Sequence, residues 1–168
     1  DTAVILNGEF SFSGLADTVV LRFIALDETI QPDLPTRMPV LIEPGTIRIN
    51  FDSVVTVTGT KGNDAYTQLV KQQRDLNASL RRKVQEFNNA RQDGTLTESM
   101  EAEVRAEYER IHGQLVELNF DYAKSNMSNE LGRHMFLTSY SMFSPEQQRE
   151  LLDLTDDNFR ARENVSRI

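Results

Sequence analysis

The chain has 168 residues, 39% hydrophobic and 26% charged, with neither Cys nor Trp. That length and mix suit a folded domain with its own core and exclude collagen-like, disordered and disulfide-scaffold classes. Eighteen Lys and Arg against 26 Asp and Glu leave a net charge of −8, which argues against nucleic acid and anionic lipid surfaces as partners.

The first 60 residues read as an antiparallel β unit. Thr2–Leu6, Asn7-Gly8 and Glu9–Ser13 form a hairpin pattern, because Asn-Gly suits a type I′ turn with two positive φ angles. Phe10 and Phe12 alternate with polar residues, so their face is expected to be buried. Thr18–Leu26 is a further β-branched strand. It belongs to the longest apolar run, which Arg22 interrupts and which falls far short of the roughly 20 residues of a spanning helix. Gln31–Pro35, with two prolines, is a loop. Val40–Glu43, Pro44-Gly45 and Thr46–Phe51 predict a second hairpin around a type II turn, and Val54–Thr60 one more strand.

From Asn63 the period lengthens, with Asn63 itself the expected N-cap. Tyr66, Leu69, Leu76, Leu80, Val84 and Phe87 form one helical stripe, closed by Gly94 in the left-handed conformation. Thr95–Glu98 matches a capping box, with Thr97 an equal candidate for the cap. Met100, Val104, Tyr108, Ile111, Leu115, Leu118 and Tyr122 form the second stripe, close to a heptad seam. Two helices of about 26 residues, each about 40 Å long, are thus expected as antiparallel neighbours across a short loop. Asn129–Phe143 is a shorter helix. Ser144-Pro145-Glu146-Gln147 starts another, from which Leu151, Leu152 and Leu154 face inward, and Phe159 anchors a last turn. The fold class is α+β: a small antiparallel sheet or sandwich over 1–60, then a helical unit over 61–168. The helical unit comprises a hairpin over 63–125 and short helices over 129–162, and the two units are packed as one domain.

Reactive constellations are missing from this pattern, and no catalytic, cofactor-binding or metal-ligating residue is assigned. Without Cys there is no thiol nucleophile, CxxC pair or thiolate metal site. His112 has no ligand partner at helical spacing, and Glu130 with His134 reads as a surface ion pair. Gly59-Thr60-Lys61-Gly62 lacks the phosphate-loop spacing and reads as a strand-to-helix turn. Arg81-Arg82-Lys83 reads as a solvated helix face, and Asp156-Asp157 as a helix start without calcium-loop spacing. Three N-glycan sequons begin at Asn77, Asn126 and Asn164. A hydroxyl residue between Asp and a small apolar residue recurs at Thr2, Thr18 and Ser53, which resembles the O-glycosylation motif of some Gram-negative envelope proteins. The chain opens on Asp1 with no signal pattern, as a processed product or a segment of a longer protein would.

Four signatures in order carry a resemblance: Asp1–Gly14 with its Gly8-Glu9-Phe10-Ser11-Phe12 core, Glu43-Pro44-Gly45-Thr46-Ile47, Gly59-Thr60-Lys61-Gly62-Asn63, and Asn129-Glu130-Leu131-Gly132. Together they resemble the uncharacterised N-terminal domain found ahead of thioredoxin-like modules in TlpA/ResA-like thiol-disulfide oxidoreductases, envelope lipoproteins of some Gram-negative bacteria. Strands, a lipidated Cys upstream and a CxxC module downstream are usual in that family and are not in this chain. The resemblance implies a non-catalytic accessory or interaction domain in the periplasm or on the outer membrane. Membrane attachment would come only through a lipid anchor outside this chain. A protein partner or a homodimer would form through the helical hairpin. The other reading is a peptide- or glycan-binding module presenting Phe10, Phe12, Phe23 and Phe51. A hydrolase or metal enzyme has no residues behind it.

Overall fold

A computed structural model describes residues 2–26, 37–52, 54–162 and 165. The Gln31–Pro35 loop, Ser53 and the sequon at Asn164 lie outside the described residues. Four strands precede the helices: β1 (Val20–Ile24), β2 (Met38–Ile42), β3 (Arg48–Phe51) and β4 (Val55–Thr58). There follow α1 (Lys61–Gln92), α2 (Glu98–Asn126), α3 (Glu130–Ser139), α4 (Pro145–Asp153) and α5 (Asp157–Arg160), with a 3₁₀ turn at Tyr140–Met142. The architecture is the expected one: small antiparallel sheets, a long helical hairpin and short C-terminal helices.

The strand pairing differs from the expected hairpin at Pro44-Gly45. β1 pairs antiparallel with β2 and β3 with β4, as two separate two-stranded sheets. The reason lies in the first two turns of α1, which occupy the edges where β2 and β4 would otherwise extend. Leu41 stands opposite Leu21, yet its N–H donates to Asn63 Oδ1 (3.0 Å) and its carbonyl accepts from Asn63 Nδ2 (2.8 Å). Leu41 therefore points its backbone away from β1, and Asn63 supplies the two bonds a neighbouring strand would make. Pro39, the next residue of the same parity, has no N–H to offer. One turn further along α1, the Thr67 hydroxyl accepts from Val57 N (3.2 Å) and donates to Val57 O (2.5 Å). Side chains at i and i+4 of one helix thus hold the outer edges of both sheets.

Asn63 is consequently not the N-cap. Thr60 holds that position without a capping side-chain bond. The orphan N–H of Gly62 instead donates to Glu43 Oε1 (2.9 Å), a carboxylate delivered from the end of β2. A Cβ at Gly62 would sit 2.5 Å from Leu41 Cδ2 and 3.0 Å from Glu43 Oε1, so these side chains would have to shift to admit one.

Local signals at the helix ends act as read. Gly94 has φ +69°, with Thr95 N bonding Ala90 O (2.9 Å) and Gly94 N bonding Arg91 O (3.4 Å), a Schellman stop for α1. Thr97 caps α2 by accepting from Met100 N (3.3 Å), so the box at Thr95–Glu98 does not form. Ser144 and Gln147 form the full capping box of α4, with Pro145 at its first position. Asn129 caps α3 and Asp156 caps α5.

The hairpin helices are 32 and 29 residues long, longer than expected. They are antiparallel, because Gln73, Ser79 and Lys83 along α1 meet Asn119, Glu107 and Glu103 in descending order along α2. The core sits at the base of this hairpin. Leu69, Phe120, Ala123, Phe136, Leu151 and Phe159 are buried together where α3, α4 and α5 wrap the end of α2. Leu151 is fully buried, but Leu154 is half exposed, since it is the C-cap of α4 and has left the helical face.

The N-terminal hairpin forms only its turn. Asn7 and Gly8 have φ 54° and 82°, and Leu6 and Glu9 exchange two backbone bonds of 2.9 and 3.0 Å. No ladder extends beyond that bridge among the described residues, and the Phe10/Phe12 face is not buried. Phe12 is 52% exposed, and Phe10 rests partly covered on Phe51 (centroids 5.9 Å).

Candidate functional site

Beyond the base, α1 and α2 run as a pair of helices with two unlike flanks. One flank is closed by polar contacts. Ser79 donates to Glu107 (3.0 Å), Arg110 pairs with Glu107 (2.7 Å), and Lys83 bridges Glu103 (2.7 Å) and Glu86 (3.7 Å). Glu107 accepts from Arg110 and Ser79, and these donors pull its carboxyl down to about 2. Such exposed pairs fix local rotamers and contribute little to stability.

The other flank starts at the base with a buried amide chain. Gln73 Nε2 donates to Asn119 Oδ1 (2.6 Å), and Asn119 Nδ2 donates to Ser139 Oγ (3.2 Å) on α3. Here α3 covers the hairpin. Further out, helical geometry carries Leu80 and Val84 along the Gln73 side of α1, and Tyr108 and Leu115 along the Asn119 side of α2. No described element covers them. Val84 is 37% and Tyr108 55% exposed. Leu76, Leu80, Phe87, Val104 and Leu115 are only half-buried, whereas Ile111, between the helices, is buried. A helix pair shields one side of its seam, and among the described residues no third element shields this side.

The residues singled out in the sequence do not converge. His112 stacks on Tyr108 (6.1 Å, 24°) out on the hairpin. His134 lies at the base, edge-on to Phe23 (5.5 Å), far from ion-pairing with Glu130. Glu130 instead takes Arg133 (3.0 Å) and Arg162 (2.9 Å), and Arg133 also reaches Asp156 (2.6 Å). Helix spacing could have offered Arg133, three residues on, but not Arg162, which comes from 32 residues away and gives the carboxylate two donors. Bonds from Arg162, then Arg133, hold the Glu130 carboxyl below its ordinary range. Both guanidinium groups also flank the Phe159 ring, at 5.3 and 5.0 Å.

Burial alone lowers the His134 imidazole below its ordinary 6.5. A lowered base binds its proton more readily in the unfolded chain. Its contribution to stability is therefore present above 6.5 and is lost as pH falls from there toward the folded value. Chemical denaturation at stepped pH is expected to show this slope in the wild type and a shallower one in His134→Phe. Equal slopes would show that the imidazole binds its proton equally well in the folded and unfolded chain.

Of the hydroxyl-motif residues, Thr2 and Thr18 are exposed. Asn77 and Asn126 each donate back to a carbonyl one turn earlier, Gln73 O and Tyr122 O (both 2.9 Å), so both sequons are folded into α1 and α2. Gly59-Thr60-Lys61-Gly62 is the strand-to-helix turn, where the Gly59 N–H donates to Asp64 Oδ1 and the Gly62 N–H to Glu43 Oε1 (both 2.9 Å). Phe23 is half exposed and apart from the Phe10, Phe12 and Phe51 group, so the four rings do not share one face. Among the described residues no three His, Asp or Glu side chains are placed to hold a metal ion, and no helix is long and apolar enough to cross a membrane.

The junction built by Glu43, Gly59, Gly62 and Asn63 closes the segment for which relatives are found. Residues 1–66 match a domain of unknown function (DUF4369). The match ends at Tyr66, two turns into α1, so it takes in both small sheets and the edge clamp at Asn63 and leaves the hairpin outside. No curated protein and no solved structure matches the chain.

Proposed function

We propose that this chain is a non-catalytic accessory and interaction domain of an envelope thioredoxin-like thiol-disulfide oxidoreductase. On this reading the redox module lies outside these 168 residues and the protein works in the periplasm or on the outer membrane. The observation that carries the interaction role is the hairpin. Its outer half rises past the core with one flank ionically closed and one apolar flank uncovered. The envelope and redox context is supported by the four ordered signatures; with no Cys in these 168 residues, any dithiol chemistry on this reading belongs to another module.

The reading frame that contains the chain is the first test, with a downstream CxxC thioredoxin module and an upstream lipid-attachment Cys expected. In the parent protein, joining α1 to α2 by a short turn that removes residues 76–116 should leave reduction of a small disulfide unchanged and lower turnover of a folded protein client. Equal turnover of both substrates would remove the hairpin from client recognition. The half-exposed Phe12, grouped with Phe10 and Phe51, favours a second reading as a peptide- or glycan-binding module. Titrating short peptides and cell-wall glycan fragments while following aromatic NMR resonances decides it, and unshifted Phe12 signals would end it.

A further inference from the structure

We infer that the uncovered flank of the hairpin is a contact between two copies of this chain, with α1 of one copy laid against α2 of the other. This rests on the interaction-domain reading and names the partner. Three observations lead to it. First, the flank continues the surface that α3 covers at the base. The Gln73–Asn119–Ser139 chain marks the last covered level, and Val84 and Tyr108 lie about 16 Å further out on the same side. The covered part shows what that surface accepts, namely another helix.

Second, the exposed residues there are large and apolar, Val84 at 37% and Tyr108 at 55%, beside the half-buried Leu80 and Leu115. The opposite flank carries Ser79, Lys83, Glu103, Glu107 and Arg110, already bonded to one another. A helix pair with one wet and one apolar flank is half of a four-helix bundle.

Third, the two arms carry opposite charge. Over Lys61–Gln92, α1 has seven Lys and Arg against three Asp and Glu. Over Glu98–Asn126, α2 has seven Asp and Glu against three Lys and Arg. Setting aside Lys83, Glu86, Glu103, Glu107 and Arg110, which are bonded within the copy, α1 keeps six basic against two acidic residues and α2 five acidic against two basic. Two copies brought together with α1 facing α1 would oppose like charges, whereas α1 facing α2 brings opposite charges together and makes neighbouring helices antiparallel. Another acidic or basic protein would match only one arm, and a second copy matches both.

Light scattering on the eluting 19.2 kDa chain over a wide concentration range is the direct test. A monomer–dimer equilibrium is expected, weakening several-fold as salt rises, because the arm charges are exposed and screened. Val84→Glu and Tyr108→Glu, at positions already open to water, should keep the helical circular dichroism and, at concentrations where the wild type is monomeric, its thermal midpoint, and weaken the dimer at least tenfold. The chain has no Cys of its own, so single V84C and Y108C variants report contacts between copies without background. Mixed together, they should form an oxidative V84C–Y108C cross-link in preference to like pairs. A monomer at every concentration, or a dimer indifferent to both Glu substitutions, overturns the proposal. Cross-links confined to like pairs overturn the α1-to-α2 arrangement. None of these results touches client turnover by the parent protein, which tests the interaction-domain reading separately.

Discussion

Replacing Asn63 by alanine is expected to cost about 2–5 kcal/mol, because it leaves the buried N–H and C=O of Leu41 without partners. The same amide also donates to Thr60 Oγ1 (2.7 Å), so the strand-to-helix turn loosens with it. At roughly 2–4 °C per kcal/mol for a chain of this size, the melting midpoint should fall by about 10 °C. Asn63→Asp separates the two halves of the clamp. The carboxylate can still accept from Leu41 N–H, and the Thr60 hydroxyl can turn to donate to it, but it cannot donate to Leu41 O and its charge would face that buried carbonyl. It should therefore be no better tolerated than alanine. Hydrogen exchange supplies the local readout, with the Leu41 amide losing protection first and the amides of the β1–β2 pair following. A change in stability under about 0.5 kcal/mol, with Leu41 still protected, would mean that the sheets are held by their apolar faces on α1 alone.

Phe136→Ala should be about as damaging, for a different reason. Phe136 has no exposed surface and meets Tyr140 (5.5 Å) and Phe159 (6.3 Å), so it joins α3 to α5. Removing a buried Phe side chain costs about 3–5 kcal/mol through lost transfer energy and the cavity left behind. Phe136→Leu keeps most of the volume and should cost less than about 1.5 kcal/mol. Urea denaturation of the three proteins checks both figures. A loss below about 1 kcal/mol for the alanine variant would place the stabilising core elsewhere than the hairpin base.

The two substitutions probe different physics, and that difference tracks what could be read from the residues in order. Asn7-Gly8, Gly94, Thr97, Asn129 and the Ser144–Gln147 box are all legible because each depends on dihedral preferences and bonds within five residues. The helical stripes are legible for the same kind of reason, since period alone places Leu69, Ile111 and Tyr122 on inner faces. What escaped was decided across the chain. The Pro44-Gly45 segment looks like a hairpin turn, but Glu43 is drawn to Gly62 and Leu41 is taken by a side chain 22 residues away, so β2 has no edge left for β3. Glu130 and His134 look like a pair at helical spacing, but Arg133 and Arg162 offer the carboxylate more donors than an imidazole could.

The candidate contact surface was half legible. A hairpin with an apolar seam follows from the two stripes, yet they do not tell which flank of it is covered. Tyr108 has the spacing of a core residue and is 55% exposed, because α3 ends before reaching its level.

The order of residues alone set the stop of α1 at Gly94, the caps of α2 and α4 at Thr97 and Ser144, the positive φ angles of the Asn7-Gly8 turn, and that no thiol chemistry resides in this chain. Those properties come from short-range sterics, local hydrogen bonds and composition. Only the tertiary structure decided which strands pair, that Asn63 and Thr67 stand in for missing strands, and which flank of the hairpin stays open. Each of those outcomes is a competition among distant groups for the same backbone edge or the same apolar face, and the winner depends on where the whole chain has been folded.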